Sequence, residues 1–317
     1  MSQSAAKNPH GVEDSLFIWM DGQLRPYKDA TTHVLSHSLH YGSAAFEGIR
    51  AYKAFDGRTA IFRAAEHMDR MHRSVRIFDV TLGYSTAELV DAMRETIKAN
   101  GFDECYVRPF AYFGNDTRGL KLPPNPHMHV AIACWRWPRY LGGDASQNHG
   151  IKVKVASYRR PEVGSGLPWA KVSGNYLSSI LARREATKSG CDEAILLDQQ
   201  GYVAEGSGEN IFVVQRGEIL TPPSGTVLLG ITRDCIFSLA DLLGLKIREQ
   251  PITRNQLYEA DEVFFTGTAA EISPVGEIDG IKIKDGKSGP ITRDFSMLYE
   301  KAIRGGLPER SEWLTFV

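Results

Sequence analysis

The sequence predicts an α+β chain of two domains, a small α/β domain with an antiparallel sheet and a larger mixed-sheet domain with flanking helices. Three observations carry this expectation. The length of 317 residues is about twice a modal domain of ~100–150 residues. Alternating, strand-length runs in the first half surround two helical stretches. Near residues 139–150 the pattern lapses into Gly, Asp and polar residues, after which strands and helices resume in mixed order.

The elements follow in order. Leu16 to Met20 reads as a strand that turns at Asp21-Gly22, a dipeptide suited to the positive φ angles of a tight hairpin, and returns through Gln23 and Leu24. Strand Thr59 to Phe62 precedes a helix from about Ala64 to Ile77. A second helix, about Thr86 to Ala99, sets Leu89, Met93 and Ile97 on one face and stops at Asn100-Gly101. Strands Glu104 to Phe113 and His127 to Trp137 flank a Gly/Pro-rich loop. Past the linker come strand Ile151 to Ala156, helix Gly174 to Lys188 and strand Glu193 to Asp198. Strands Asn210 to Val214 and Glu218 to Leu220 join through Arg216-Gly217. Helix Arg233 to Leu243 stops at Gly244, and strands near Lys246 to Gln250, Asp261 to Thr266 and Glu271 to Ile278 lead to a last helix, Thr292 to Ile303. The expected division is a flexible tail at 1–15, a small domain at 16–138, a linker at 139–150 and a large domain at 151–317.

Composition narrows the function. Hydrophobic residues make up 42% and charged residues 24%, enough for a large core and too apolar for a disordered chain. Lys and Arg total 37 against 38 Asp and Glu, so no global field recruits nucleic acid or an anionic membrane. Cys105, Cys134, Cys191 and Cys235 are dispersed without a CxxC pair and read as reduced thiols of a cytosolic interior, against a zinc ribbon or disulfide scaffold. Met1 to Ser15 has no signal-peptide apolar run, and stretches such as His129 to Trp135 fall far short of the ~20 residues of a membrane helix. The expectation is a soluble, cytoplasmic protein that binds neither nucleic acid nor membrane.

Candidate chemistry centres on Lys171. Apolar neighbours before it and an expected helix start at Ser173 both disfavour an ammonium, by desolvation and by the helix dipole, although a lysine beside a loop is also read as simply solvated. Glu205 ends an apolar run just before Gly206 and Gly208, which allow close backbone approach to a flat ligand; alone it is equally an acidic turn residue. Gly230-Ile231-Thr232-Arg233 opens a helix with Thr232 as a plausible N-cap, and Thr266-Gly267-Thr268-Ala269 is a Gly/Thr turn; both offer N–H groups to phosphate. Arg70 sits on a helix. Tyr106 and Arg108 share a strand face, where phenol and guanidinium make a carboxylate receptor or merely a solvated surface. Gly280, Gly286, Lys287 and Ser288 fail as a P-loop because Ile281 stands where glycine is required. His33, His37 and His40 lack the Cys or carboxylate companions of a metal site and are expected to be hydrogen-bonded structural histidines.

Together these stretches resemble the branched-chain amino acid aminotransferases, pyridoxal-phosphate enzymes of fold type IV, from about Phe17 to the last helix. The specific pieces are His40-Tyr41-Gly42 with Phe46-Glu47-Gly48-Ile49-Arg50, Ala170-Lys171 with Gly174-Asn175-Tyr176, Glu205-Gly206-Ser207-Gly208-Glu209-Asn210, Gly230-Ile231-Thr232-Arg233 and Gly267-Thr268-Ala269-Ala270-Glu271. The resemblance implies a small α/β domain and a larger, mixed, β-barrel-like domain meeting at a crevice. It implies a Schiff base between Lys171 and pyridoxal phosphate, with Tyr176 on the phenolic oxygen, Glu205 on the pyridine nitrogen, and Arg70, Ile231, Thr232 and Thr268 on the phosphate. Lys171 then shuttles the proton of a ping-pong amino transfer between leucine, isoleucine or valine and 2-oxoglutarate. It further implies that Tyr106, Thr268 and Ala269 hold the α-carboxylate, Arg108 and Tyr41 meet the γ-carboxylate, and Phe46 and Tyr140 form apolar wall. A homodimer or higher homo-oligomer is implied too. The loop Asn115 to Lys121 departs from the family's small or apolar residues and puts Arg118 near the expected pocket mouth. Alternatives in the same fold are D-amino acid or R-amine transaminases and aminodeoxychorismate lyases; a noncatalytic binding module is the remote one.

Overall fold

Asp21 and Gly22, at φ 50° and 88°, turn β1 (Phe17–Met20) into β2 (Gln23–Pro26), as the Asp-Gly pair predicts. The structure, a computed structural model, describes residues 15–137, 141, 149–162, 164 and 167–317. Most of the expected tail and linker, and Tyr140, lie outside the described residues. Contacts divide the chain into two units: Met1–Pro138 with Ile303–Gly305 and Arg310–Val317, and Arg139–Ala302 with Gly306–Glu309.

In the first unit the hairpin is followed by α1 (His37–Tyr41), β3 (Ala44–Phe46), β4 (Ile49–Lys53), β5 (Thr59–Phe62), α2 (Ala64–Val75), α3 (Thr86–Asn100), β6 (Cys105–Tyr112) and β7 (His129–Trp135). The sheet runs β5-β4-β6-β7-β1-β2, with β3 also on β6, and every pairing is antiparallel. Alternation gives its two faces different work. Val107, Val130, Ile132 and Cys134, all at 0% exposure, lie against the helical side with Leu89, Met93 and Ile97 of α3. The opposite face carries Tyr106, Arg108, Phe110, Ala131, Ala133 and Trp135, most of them only half-buried. Ser85 caps α3 in a reciprocal pair with Glu88, and Gly101 ends it at φ 66°.

The second unit contains β8 (Ile151–Arg159), α4 (Tyr176–Lys188), β9 (Glu193–Leu197), β10 (Val203–Gly206), β11 (Asn210–Gln215) and β12 (Glu218–Thr221). It continues with α5 (Ile231–Leu243), β13 (Ile247–Glu249), α6 (Arg254–Tyr258), β14 (Glu262–Gly267), β15 (Glu271–Ile278), β16 (Ile281–Lys282) and α7 (Pro290–Ile303). The strand order is β10-β9-β8-β15-β14-β11-β12-β13, with β16 on β15. β8 runs parallel to β9 and β15, and β12 to β13, while the other pairs are antiparallel, so the sheet is mixed, and it curls into a half-barrel. Its middle strands are apolar throughout because both faces are covered. Phe212 and Phe264 stack 5.1 Å apart and meet Phe237 of α5 and Phe295 of α7, while Ile211, Val213, Val263 and Phe265 fill the other face.

Two expectations need correction. The end of the chain does not belong wholly to the second unit: β17 (Leu314–Phe316) pairs with β5, and Trp313 sets its ring 5.7 Å from that of Phe62. A strand added from the far end of a chain leaves no local signal. Helix α5 begins at Ile231, earlier than the expected Arg233, with Gly230 rather than Thr232 as N-cap. Ser85→Ala, which removes one half of the α3 capping pair, should cost about 1 kcal/mol, read as a lower urea midpoint at unchanged slope; an unchanged midpoint would reject a stabilising cap.

Candidate active site

Lys171 lies in a short non-helical segment, followed by an extended Val172 and a single 3-10 turn, Ser173–Asn175. Asn175 fastens that segment by donating its side-chain amide to the carbonyls of Leu167 and Ala170, both at 3.1 Å. Tyr176 opens α4 directly beyond, and Lys171 Nζ donates to Tyr176 Oη at 2.6 Å. Helical structure does begin at the expected Ser173, but as a 3-10 turn that leads into the α-helix at Tyr176. The α-helical part of the dipole, which falls off within a turn, therefore begins one 3-10 turn further from Lys171.

Glu205, 7% exposed on β10, lies close enough to Lys171 for the two charges to interact. Burial pushes its carboxyl up, and Arg160, the Leu228 N–H and Lys171 only partly pull it back. Arg160 Nε stands 2.9 Å from Glu205 Oε1, an ion pair whose N–H is not aligned as a hydrogen bond. Leu228 N–H donates to Glu205 Oε2 at 3.1 Å, and Asn210 Nδ2 to the Leu228 carbonyl at 2.9 Å. Asn210 also fixes the start of α5. A Cβ on Gly230 would come within 2.0 Å of Asn210 Oδ1, so only glycine lets the helix begin here. Ile231 and Thr232 thus form the first turn of α5, where N–H groups lie beyond the reach of intrahelical acceptors.

Across the β11–β14 pair, Asn210 stands opposite Thr266, which brings the turn of Thr268 and Ala269 to the same end of the sheet. Both residues are half-buried, and Thr266 Oγ1 is buried without a hydrogen-bond partner. Glu209 is buried between the strands, accepting from Gly208 N–H at 3.0 Å. Burial above all, with help from Glu205, pushes its carboxyl up to about 7 against the Gly208 N–H, Arg183 and Lys171. Lys171, Tyr176, Glu205, Ile231, Thr232, Thr268 and Ala269 are thus brought to one end of the second unit's sheet.

In the first unit Phe46, Tyr106 and Arg108 share the half-buried sheet face. Arg108 Nη2 donates to Tyr106 Oη at 3.1 Å, and a Cβ on Gly48 would stand 2.0 Å from that phenol. Tyr41 ends α1, exposed, with its ring 4.6 Å from His37, and no hydrogen bond or ring contact joins it to Arg108 among the described residues. Arg70 is paired with Glu47. Its Nε and Nη2 donate to the two oxygens of Glu47 at 2.7 and 2.6 Å, and His67 Nδ1 lies 2.7 Å from the same carboxylate. Burial alone would raise the Glu47 carboxyl; the charge and hydrogen bonds of Arg70, with those of His67, instead hold it at about 2. His37 is satisfied at both nitrogens, by Ser43 and by the Gly119 carbonyl next to exposed Arg118.

The family model of the amino-transferase class IV proteins matches residues 44–278, which span both the Tyr106–Arg108 face and the Lys171–Glu205 end. The chain belongs to the class IV aminotransferases. A relative from Pseudomonas aeruginosa named branched-chain-amino-acid aminotransferase is 45% identical to this class IV aminotransferase over 95% of its chain and 97% of the relative's. Crystal structures of the T.th. branched-chain amino acid aminotransferase, 42% identical, cover 95% of this chain and 98% of theirs. Their TM-scores are 0.91 with pyridoxamine 5'-phosphate, 0.90 with N-(5'-phosphopyridoxyl)-L-glutamate and 0.89 with 4-methylvaleric acid.

Arg160, Asn210 and Glu209 were not assigned roles by the sequence. Asn210 and Glu209 stand inside the Glu205-to-Asn210 motif, so their position carried a signal; Arg160 reaches Glu205 from just beyond another strand and carried none. Glu47 likewise gave no sign of its partners on α2. Since its carboxyl is held at about 2 rather than an ordinary 4.5, Glu47 contributes stability above pH 4.5 that is lost as pH falls toward 2. Glu47→Gln should lower stability at neutral pH by about 3 kcal/mol and flatten the acid limb of a pH–denaturation series. Parallel limbs for the two proteins would contradict an ionised Glu47.

Proposed function

We infer that this class IV aminotransferase is a branched-chain-amino-acid aminotransferase that uses pyridoxal phosphate to move an amino group reversibly between L-leucine, L-isoleucine or L-valine and 2-oxoglutarate. The observation that carries the reading is the Lys171 amine on the Tyr176 phenol at 2.6 Å, within electrostatic reach of buried Glu205. The donor set suits the cofactor. A primary amine, a phenol, a buried carboxyl and a glycine-started helix match, in turn, its aldehyde, phenolic oxygen, ring nitrogen and phosphate, and the unpartnered Thr266 hydroxyl is a further polar group at that end.

Under this reading Lys171, Tyr176 and Glu205 hold the ring, and Arg70, Ile231, Thr232 and Thr268 hold the phosphate. When bound, pyridoxal phosphate supplies an electron sink that makes the substrate Cα proton removable. Lys171 Nζ takes that proton as general base and returns it as general acid, while Tyr176 Oη keeps the amine in place. Glu205 would favour a proton on the ring nitrogen through its negative charge; burial works against that charge, and Arg160, the Leu228 N–H and Lys171 work for it. The amino acid leaves as a 2-oxo acid before 2-oxoglutarate enters, so the kinetics are ping-pong.

Tyr106 with the N–H groups of Thr268 and Ala269 takes the α-carboxylate; Arg108 and Tyr41 take the γ-carboxylate of glutamate; Phe46 and Tyr140 line the apolar side. A cytoplasmic homodimer completes the proposal. Supporting it are the four free cysteines and the exposed Leu177 and Ile180 on α4, apolar surface suited to a partner. Among the described residues no helix is long and apolar enough to cross a membrane.

The test is to incubate the cofactor-loaded protein separately with L-leucine, D-alanine and 1-phenylethylamine. L-Leucine alone should bleach the visible absorption of the bound cofactor. Bleaching by either of the others would place the protein among D-amino acid or R-amine transaminases, and no borohydride-fixed adduct at Lys171 would favour a noncatalytic module. Arg108→Ala should impair glutamate turnover roughly tenfold more than leucine turnover; equal losses would reject the role of Arg108.

A further inference from the structure

Among the described residues Arg108 has no acidic partner, which a half-buried cation ordinarily has. Its Nη2 donates to the Tyr106 phenol at 3.1 Å, and its Nε is buried with no hydrogen bond. Its guanidinium stands instead over three rings. The guanidinium carbon lies 5.0 Å from the centroid of Phe46, 5.2 Å from Tyr106 and 5.6 Å from Trp135. Strand register builds this arrangement. Tyr106 and Trp135 are directly opposed across β6 and β7, and Ala133, opposite Arg108, is too small to fill the space the guanidinium needs. Phe46 is opposite Phe110 on the β3 side of β6, so all of these side chains project from one face.

We propose that Phe46, Tyr106 and Trp135 form an aromatic cage that replaces a counter-ion for Arg108, and that Trp135 is thereby a specificity-determining residue for the choice between dicarboxylate and apolar substrates. The inference rests on the reading of Arg108 as receiver of the γ-carboxylate. Ring faces attract a cation through their quadrupole without carrying net charge. Such contacts use none of the guanidinium's N–H donors, so Nη1 stays available to a ligand while Nη2 holds the Tyr106 phenol. A protein carboxylate in the same place would occupy those donors and repel an incoming carboxylate. With no partner at all, the cation would be stranded whenever an apolar side chain displaced water from the site. The cage meets both conditions, since its cation–π contacts persist with either substrate. Phe46 and Tyr106 already have functions under the proposed reading, whereas Trp135 meets the site through the Arg108 contact and a Tyr106 ring 5.0 Å away.

The test uses the pyridoxal-phosphate-loaded protein and two unreactive ligands followed by calorimetric titration: glutarate, a five-carbon dicarboxylate, and 4-methylvalerate, an apolar monocarboxylate. Trp135→Leu should weaken glutarate roughly tenfold more than 4-methylvalerate, and Trp135→Phe, which retains a ring face, should recover most of that difference. Phe46→Leu should reproduce the selective loss and carries the test if Trp135→Leu does not fold. Equal weakening of both ligands, no weakening of either, or a Phe variant no better than the Leu variant overturns the cage. Arg108→Ala separates the two levels of the argument. If it leaves glutarate affinity unchanged, the reading of Arg108 itself fails; if it selectively weakens glutarate while Trp135→Leu does not, the cage alone fails.

Discussion

Removing the Glu205 carboxyl from water is the constraint around which the end of the second sheet is organised. A buried carboxylate is expensive unless it gathers donors, and Glu205 gathers Arg160 from just past β8 and the Leu228 N–H from the segment before α5. Asn210, bonded to the Leu228 carbonyl and packed on Gly230, makes the same neighbourhood the starting point of the helix. The acid and the phosphate-suited helix start therefore cannot be placed independently. Any shift of β10 moves both.

The protein uses burial in opposite directions at its carboxyl groups. Glu47 is wholly buried, yet Arg70 and His67 saturate it and hold it ionised, at about 2. Glu205 and Glu209 also have two cations each, but those cations lower them by charge alone and the hydrogen bonds that help come from backbone N–H groups; both are pushed up, Glu209 to about 7. Hydrogen bonding by the cations, more than their number or the depth of burial, separates the ionised Glu47 from the two carboxyls that burial pushes up. That Lys171 contributes to both raised acids puts its amine in a field set by two carboxyl groups.

On the first unit's sheet the same economy of charge takes another form. One face is sealed by apolar residues under α2 and α3, while the face bearing Tyr106 and Arg108 stays half-open and aromatic. The Arg108 guanidinium, with no carboxylate on it among the described residues, can remain there because rings tolerate a cation without neutralising it. Gly48 is part of this design, since any side chain on it would collide with the Tyr106 phenol.

Local chemistry made much of this legible in the sequence. The Asp21-Gly22 turn, the Gly101 and Gly244 helix stops and the period of Leu89, Met93 and Ile97 depend on a few consecutive residues, and they stand where the pattern put them. Tyr106 and Arg108 shared a face because strand alternation is local. The helix start expected at Ser173 is there as well, although its first turn is 3-10 and the α-helix follows from Tyr176. Sequence by itself determined which chemical groups were present, the amine, the two neighbouring acids and the glycine-started turns, and the secondary structure that carries them. Only tertiary structure decided that Arg160 meets Glu205, that Arg70 and His67 meet Glu47, that Trp135 faces Arg108 and that the final strand returns to β5. Each of those contacts joins residues far apart in the chain, and such pairings follow from strand register and packing, which no local run of residues encodes.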